Sequence, residues 1–373
     1  MKIAFDHQIF THQNYGGISR YFYFLAKELS NHGQDIKIFT GFHQNSYIGG
    51  LSGNIVNGIK IKYPNSSIKW KFKNFIYLFN NYICQKKMKL WKPDIIHETY
   101  YSSSLPSTRG SIRVTTVYDM VHELFKESFG KDDLTPITKK KTLDRVDHIF
   151  SISHNTKNDL MELLEVRESK ISVVHLGVDL NIFKKPKNEK LNLPKPYILY
   201  VGSRSGYKNF NRFLKACSNS IILKNKIKIL VFGGEYFDGN ELSNINKLGF
   251  SDGNVEHVTG DDNKLAKLYA NALCLVYPSL YEGFGLPPLE AMASGCPVVA
   301  SNTSSMPEII NDAGEFFNPY DIEEIQYAIE SLILSNTRRE QLISLGYKNI
   351  KRFSWSKCAE ESLNIYKNLT GNS

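Results

Sequence analysis

The sequence predicts an α/β protein made of two units, each a parallel sheet covered on both faces. Three observations predict it. Short apolar runs recur along the chain and are continuous rather than alternating, as strands buried on both faces are. Helical stretches separate them. The length of 373 residues suits about two domains. A composition of 42% hydrophobic and 22% charged residues excludes wholesale disorder. No apolar run approaches the roughly 20 residues needed to span a bilayer.

In the first half, Lys2–Phe5 reads as a strand, and Gly16-Gly17 as a glycine turn into a helix from Tyr21 to Ser30 that Gly33 ends. Asp35–Thr40 is the next strand. Residues 41–66 are loop-like with a short strand at Ile59–Ile61. From Ile68 to Pro93 there are seven lysines and no acidic residue, interleaved with aromatics, which fits an interfacial helix. Strands follow at Asp94–Glu98, Val114–Asp119, Asp147–Ser153 and Lys170–Val174, with Ser153 capping a helix to Leu164. The loops at 41–66 and 100–140 carry no readable pattern.

Three prolines between Pro186 and Pro196 mark a linker, so the expected domains are 1–185 and 186–354. In the second, strands are expected at Tyr197–Gly202, Ile227–Gly234, Val255–Gly260 and Leu273–Tyr277. Leu265–Ala272 and residues 322–350 read as helices, and Trp355–Leu369 as a final amphipathic helix.

The densest stretch is Tyr281–Ala300. Gly283 and Gly285 give a loop whose backbone can approach a ligand. Pro287 and Pro288 suit a first helical turn, Gly295 stops the helix, and Pro297–Ala300 is a strand. A glycine loop at a helix N-terminus favours anions. Glu282 and Glu290 beside it suit hydroxyl groups, because carboxylates accept hydrogen bonds. A nucleotide-diphosphate sugar carries both parts. Arg204 and Lys208 follow the first strand of this half, where α/β sheets bind ligands.

The net charge of +9 lies entirely in the first half: residues 1–185 hold 26 Lys+Arg against 17 Asp+Glu, and residues 186–373 hold 20 of each. That asymmetry suits a polyanionic surface or a lipid diphosphate as partner. No recognition helix or RNA-binding signature accompanies it, which sets nucleic acid aside. Five scattered cysteines without C-x-x-C indicate neither a disulfide framework nor a zinc site. There is no G-x-x-x-x-G-K-[ST], no H-E-x-x-H, and no D-x-D pair to chelate a divalent metal. A bound diphosphate would then be met by Arg, Lys and backbone N–H groups, with no metal or other cofactor expected. The first residues lack the apolar core of a signal peptide, so a cytoplasmic protein is expected.

These residues resemble retaining glycosyltransferases of GT-B architecture, family 4. The resemblance rests on Glu282-x7-Glu290 within E-G-F-G-L-P-x-L-E-A-M-A-x-G-x-P-V, on Gly202-x-Arg204…Lys208-Asn209, on Gly260 and Leu265…Ala272, and on Pro307-Glu308. In the first half, Gly16–Tyr21, Asp94–His97, Tyr118–Met120 and Ser153-x-x-Thr156-x-x-Asp159 are similar to bacterial members that build polysaccharide, often as mannosyltransferases.

The resemblance implies two Rossmann-like domains facing across a cleft, with the final helix, 355–373, crossing back to the first. It implies that Glu282 contacts donor-sugar hydroxyls and that the backbone at Phe284, Gly285 and Leu286 holds sugar and phosphate. Glu290 would bind the ribose, Arg204 and Lys208 would clamp the diphosphate, and Gly16 and Gly17 would close over the phosphate. Tyr118-Asp119 stands where the family has His-Asp, with the histidine near C6 of the donor sugar. Tyr118 then marks a different donor, such as a 6-deoxy sugar, and His122 would substitute only if its loop folded back. The implied activity is metal-independent hexosyl transfer to a lipid-linked or oligosaccharide acceptor, in O-antigen or capsule synthesis at the inner face of the plasma membrane. Residues 68–93 would touch the anionic lipid. The alternative is a non-catalytic scaffold of the same fold that binds nucleotide sugars.

Overall fold

The computed structural model describes residues 1–63, 69–103, 108, 110–184, 196–204 and 206–371, with only the backbone described at 69–71. The chain divides into two compact units. Unit 1 comprises Met1–Glu123, Phe129–Gly177 and Trp355–Ser373, and unit 2 comprises Leu124–Ser128 and Val178–Ser354. The proline-rich stretch expected as a linker lies outside the described residues up to 195.

Unit 1 holds a seven-stranded sheet of β1 (Lys2–Phe5), β2 (Asp35–His43), β3 (Val56–Lys60), β4 (Ile95–Glu98), β5 (Ile112–Val117), β6 (His148–Ser151) and β7 (Ile171–Val173). The order is β3-β2-β1-β4-β5-β6-β7, and every pairing is parallel. Strand order reverses at β1, so β1 and β4 part at a switch point where parallel sheets open a crevice at their carboxyl ends. β4 is buried along its whole length, including His97 and Glu98.

Helices cover both faces, as the continuous apolar strands require. Helix Gly17–Asn31 buries Tyr21, Phe22, Leu25, Ala26 and Leu29, which fall on one helical face. It stops where Gly33 takes φ +74°, a conformation that costs glycine nothing. Ser153 caps helix His154–Leu164 by accepting from the Thr156 N–H at 3.0 Å. The closing helix, Trp355–Thr370, belongs to unit 1. Trp355 stacks on Phe24 at 4.8 Å, and the Tyr366 hydroxyl meets His97 Nδ1 at 2.6 Å.

Unit 2 holds a six-stranded sheet of β8 (Tyr197–Val201), β9 (Lys228–Phe232), β10 (Val255–Val258), β11 (Leu275–Tyr277), β12 (Val298–Ser301) and β13 (Gly314–Phe317). Its order is β10-β9-β8-β11-β12-β13, again all parallel, with the switch point between β8 and β11. Tyr200, Phe213, Val231, Val276, Val299 and Ile329 form part of one core across the sheet.

The stretch expected as one helix over 322–350 is two, Ile322–Leu334 and Asn336–Asn349. Ser335 breaks it: its hydroxyl accepts from the Arg338 N–H at 3.2 Å, the competition that makes serine a better cap than helix interior. Helix Thr135–Arg145 begins in the stretch 100–140, which carries no readable pattern, and helix Gly239–Lys247 lies where no element is expected.

Candidate active site

In unit 2 the site residues gather at the switch point. Lys208 lies in a short 3-10 turn after β8, and Glu282 in the loop after β11. Their side chains form an ion pair of 2.6 Å, 16% and 13% exposed. The Tyr277 hydroxyl bonds the same carboxylate; burial, then the Glu282 charge, pushes the Tyr277 pKa far up, so it stays a donor. The Lys208 ammonium also sits 5.2 Å from the centre of the Tyr207 ring. Phe125, from the short segment counted with unit 2, packs on Tyr207 and Tyr281.

Arg204 is held differently. Its Nε and Nη2 grip Glu241 at 2.5 and 3.0 Å, and Nη2 also donates to the Glu235 carbonyl at 2.8 Å. Its guanidinium lies 4.8 Å from the Phe237 ring centre. The fork holds the Glu241 carboxyl below the ordinary carboxylate range. Glu241 also closes the capping box of helix Gly239–Lys247, so one carboxylate fixes both the arginine and a helix start. Arg204 and Lys208, expected as a joint clamp, thus each face their own carboxylate.

The loop 281–285 runs into helix Leu286–Ala293. Gly285 has φ +134°, so the backbone demands glycine; a Cβ there would lie 2.8 Å from Met306 Cε, the tip of a flexible side chain that can shift. Pro287 and Pro288 remove two of the donors a helix start leaves unpaired. The first helical turn is therefore left with the Leu286 N–H as its N-terminal donor. Phe284 is buried edge-on against Phe353 at 5.8 Å. Glu290 is buried on the helix and accepts from the Tyr269 hydroxyl at 3.4 Å.

Three hydroxyls shape this loop, and sequence reasoning passed over them. Thr303 donates to the Leu280 carbonyl at 2.9 Å, Ser304 accepts from the Glu282 N–H at 3.0 Å, and Ser305 donates to the carbonyls of Glu282 and Phe284 at 2.8 and 2.6 Å. A run of three hydroxyl residues directly after a strand was the available signal.

In unit 1 the chemistry at the carboxyl edge is buried, and its charged cluster, Glu98 at the end of β4 with Arg113 and Arg145, is paired within the unit. Asp6, after β1, accepts from Gln8 Nε2 at 2.7 Å and from the N–H and hydroxyl of Thr99, after β4, at 3.0 and 2.5 Å. Burial pushes its pKa up. His7 bonds Asn81 at 3.0 Å and burial lowers it to about 4; His97 bonds Thr116 at 2.8 Å as well as Tyr366 and falls to about 3. None of Asp6, His7 or Thr99 was singled out from sequence.

The predicted residues of this unit sit around that edge. Tyr118 is buried, and its hydroxyl donates to the Thr99 carbonyl at 3.4 Å. Asp119 Oδ1 accepts from the Val121 N–H at 3.2 Å, and its carbonyl accepts from buried Lys139 at 2.9 Å. His122 pairs with Asp133 at 2.7 Å and stacks on Phe129 at 3.9 Å. Gly16 precedes helix Gly17–Asn31, and a Cβ at Gly17 would meet nothing within 4 Å.

Two Rossmann-like units, one with paired acidic and basic side chains at its switch point, place a ligand-binding crevice at the carboxyl edge of the second. Residues 15–182 match the family described as Glycosyltransferase Family 4, and residues 181–349 match Glycosyl transferases group 1. The chain is 30% identical over 267 residues to O-antigen chain mannosyltransferase B of Escherichia coli, covering 69% of this chain and 70% of that protein. The chain belongs to this glycosyltransferase family. A sucrose-phosphate synthase from Thermosynechococcus elongatus superposes with a TM-score of 0.79 at 20% identity, over 100% of both chains. Anabaena HepE, in complex with UDP-glucose, does so at 0.74 and 15% identity, over 99% of this chain and 100% of that one. At those identities the likeness is one of fold, the GT-B architecture.

Proposed function

We propose that the chain is a retaining, metal-independent hexosyltransferase using a nucleotide-diphosphate sugar, mannose-type or 6-deoxy, in bacterial surface polysaccharide synthesis. Its acceptor is a lipid-linked or oligosaccharide chain, met at the inner face of the plasma membrane. The Lys208–Glu282 pair carries this reading. Each partner has a replacement in such a donor: the diphosphate for Glu282, the sugar hydroxyls for Lys208. Donor binding then exchanges partners and leaves both charged groups hydrogen-bonded in a half-buried site. The likeness to an O-antigen mannosyltransferase supports the mannose-type donor.

In the proposed reaction the bond from C1 to the phosphate oxygen breaks and the bond from C1 to the acceptor oxygen forms on the same face. The acceptor proton passes to the leaving diphosphate. Lys208 and the backbone at Phe284, Gly285 and Leu286 stabilise the charge that grows there. Arg204, fixed by Glu241, adds a rigid cation, and Asp119 holds the loop after β5. Glu282 positions the sugar, Glu290 the ribose, and the backbone at Gly16 and Gly17, the second with open space where a side chain would stand, faces a phosphate oxygen.

A thermal-shift panel tests this: a donor at 100 times its dissociation constant stabilises the protein by about 2.7 kcal/mol. GDP- or dTDP-linked hexoses are expected to raise Tm, and transfer is expected to survive EDTA. Glu282→Ala is expected to lower turnover about 10²–10³-fold. A nucleotide sugar that binds without any transfer gives the chain to the scaffold reading, and a panel in which no nucleotide binds overturns both. Activity lost in EDTA removes metal independence, and an inverted anomer in the product removes retention.

A further inference from the structure

We infer that the outer face of helix Lys69–Trp91 is an anionic-bilayer surface, in which an apolar stripe enters the lipid and a lysine cluster seats on headgroup phosphates. The helix has two apolar faces. Ile76, Cys84 and Met88 are buried, with Cys84 and Met88 packing against Ala4, Phe39 and Ile96. Asn80, on the same face, bonds both backbone groups of Phe42, donating to its carbonyl at 2.7 Å and accepting from its N–H at 2.8 Å. The helix therefore cannot roll to hide its other side.

That other side carries Phe75, Leu78, Phe79 and Tyr82, exposed at 62%, 68%, 36% and 59%. They fall at i, i+3, i+4 and i+7, one stripe about 10 Å long. The stripe is ordered in advance: Phe79 stacks on Phe75 at 6.2 Å and on Phe42 at 5.5 Å. Beyond it Lys86, Lys87, Lys89 and Lys92 are exposed, with Leu90 at 84%. Residues 69–93 contain no Asp or Glu.

A water-facing helix gains from mixed charges along its surface. This one pairs exposed apolar side chains with charge of a single sign, the complement of an anionic lipid surface. Its composition does not let it span: among the described residues no helix is long and apolar enough to cross a membrane.

The same helix also reaches the candidate chemistry of unit 1. Tyr77 and Asn81, on the side turned away from the stripe, reach the carboxyl end of β1: Tyr77 donates to Gln8 Oε1 at 3.4 Å, and Asn81 bonds His7. A bilayer seated on the stripe would bring a lipid-linked acceptor to that edge. This last step rests on the proposed transferase reading; the docking itself does not.

Flotation with vesicles of 30% phosphatidylglycerol in phosphatidylcholine tests the docking. The full chain is expected to float with these and not with pure phosphatidylcholine. Phe75→Ser/Leu78→Ser is expected to weaken binding at least tenfold with an unchanged melting temperature, since both side chains face outward. Each lysine among 86, 87 and 89 changed to Gln is expected to cost about fivefold, an effect that fades in high salt. Equal flotation with neutral vesicles, or binding indifferent to both sets, overturns the inference. Sedimentation showing that Phe75→Ser/Leu78→Ser dissolves a dimer gives the face to a second copy instead. With transfer assays, the stripe variant is expected to lose activity on a vesicle-borne acceptor and keep it on a water-soluble one. An inactive protein that still floats sinks the transferase reading and leaves the docking intact.

Discussion

The two sheets end in different polar chemistry at equivalent places. At the switch point of unit 2, charged groups face one another in half-open pairs, Lys208 with Glu282 and Arg204 with Glu241. At the switch point of unit 1, Asp6, His7, His97 and Thr99 are buried and satisfied by amides, hydroxyls and backbone. The first arrangement can trade partners with a charged ligand at small cost. The second can only hold a shape, because moving any member strands a buried polar group. The same topology thus serves a charge-handling edge and a scaffolding edge.

The sharpest way to break that contrast is Lys208→Met. It leaves Glu282 with Tyr277 but without a cation, in a position only 13% exposed. Turnover is expected to fall about 10²–10³-fold. Adding Glu282→Gln is expected to recover stability and not activity, because the stranded charge goes while the site stays incomplete. Denaturant melts and kcat/KM of the three variants check this. A double variant no more stable than Lys208→Met would show that the pair is not the unit it is taken for.

How much was legible follows the same division. The loop-helix-strand stretch from Glu282 to Ala300 is local: its glycines, prolines and helical spacing lie within reach of one another, and helix Leu286–Ala293 and β12 stand where they predict. The lysine-rich helix was legible for the same reason. What escaped is what the fold brings together from afar. Asp6 meets Thr99 across 93 residues and His97 meets Tyr366 across 269. Nothing around Asp6 announces a buried carboxylate, since its partners arrive with β4. Arg204 was found from the strand before it, yet its partner Glu241 sits in a helix whose pattern was unread.

A second prediction uses protons. His7 and His43, both buried, are lowered by burial to about 4, and His97 to about 3; all lie in unit 1. An unfolded histidine binds its proton near pH 6.5. As the pH falls below that value the unfolded chain protonates first, so stability present above pH 6.5 is lost, levelling near pH 4 for two of them and pH 3 for the third. Each contributes at most about 1.4 kcal/mol per pH unit. Asp6 works the other way, its raised pKa letting the native carboxyl take a proton first as the pH falls. Glu98, also raised by burial, acts with it, and against the two stand these three histidines together with the lowered His12 and His148. Hydrogen exchange at pH 7, 6 and 5 is expected to show unit 1 losing protection before unit 2. Equal loss in both units would remove the distinction between the edges.

The smallest effect belongs to Tyr118, where the family motif and the geometry meet. Its hydroxyl is spent on the Thr99 carbonyl at 3.4 Å, a long bond inside the buried edge. Removing it in Tyr118→Phe is expected to cost about 0.5–1 kcal/mol. The ring remains, and the ring's bulk is what sets the space beside the loop. Donor ranking among nucleotide-linked hexoses is therefore expected to be unchanged in the Phe variant. Tyr118→His shrinks that bulk and supplies a ring nitrogen, and is expected to move the ranking towards hexoses that keep their 6-hydroxyl. A Phe variant that re-ranks donors would place the hydroxyl on the ligand rather than on Thr99. A His variant that leaves the ranking alone would make Tyr118 part of the scaffolding edge and nothing more.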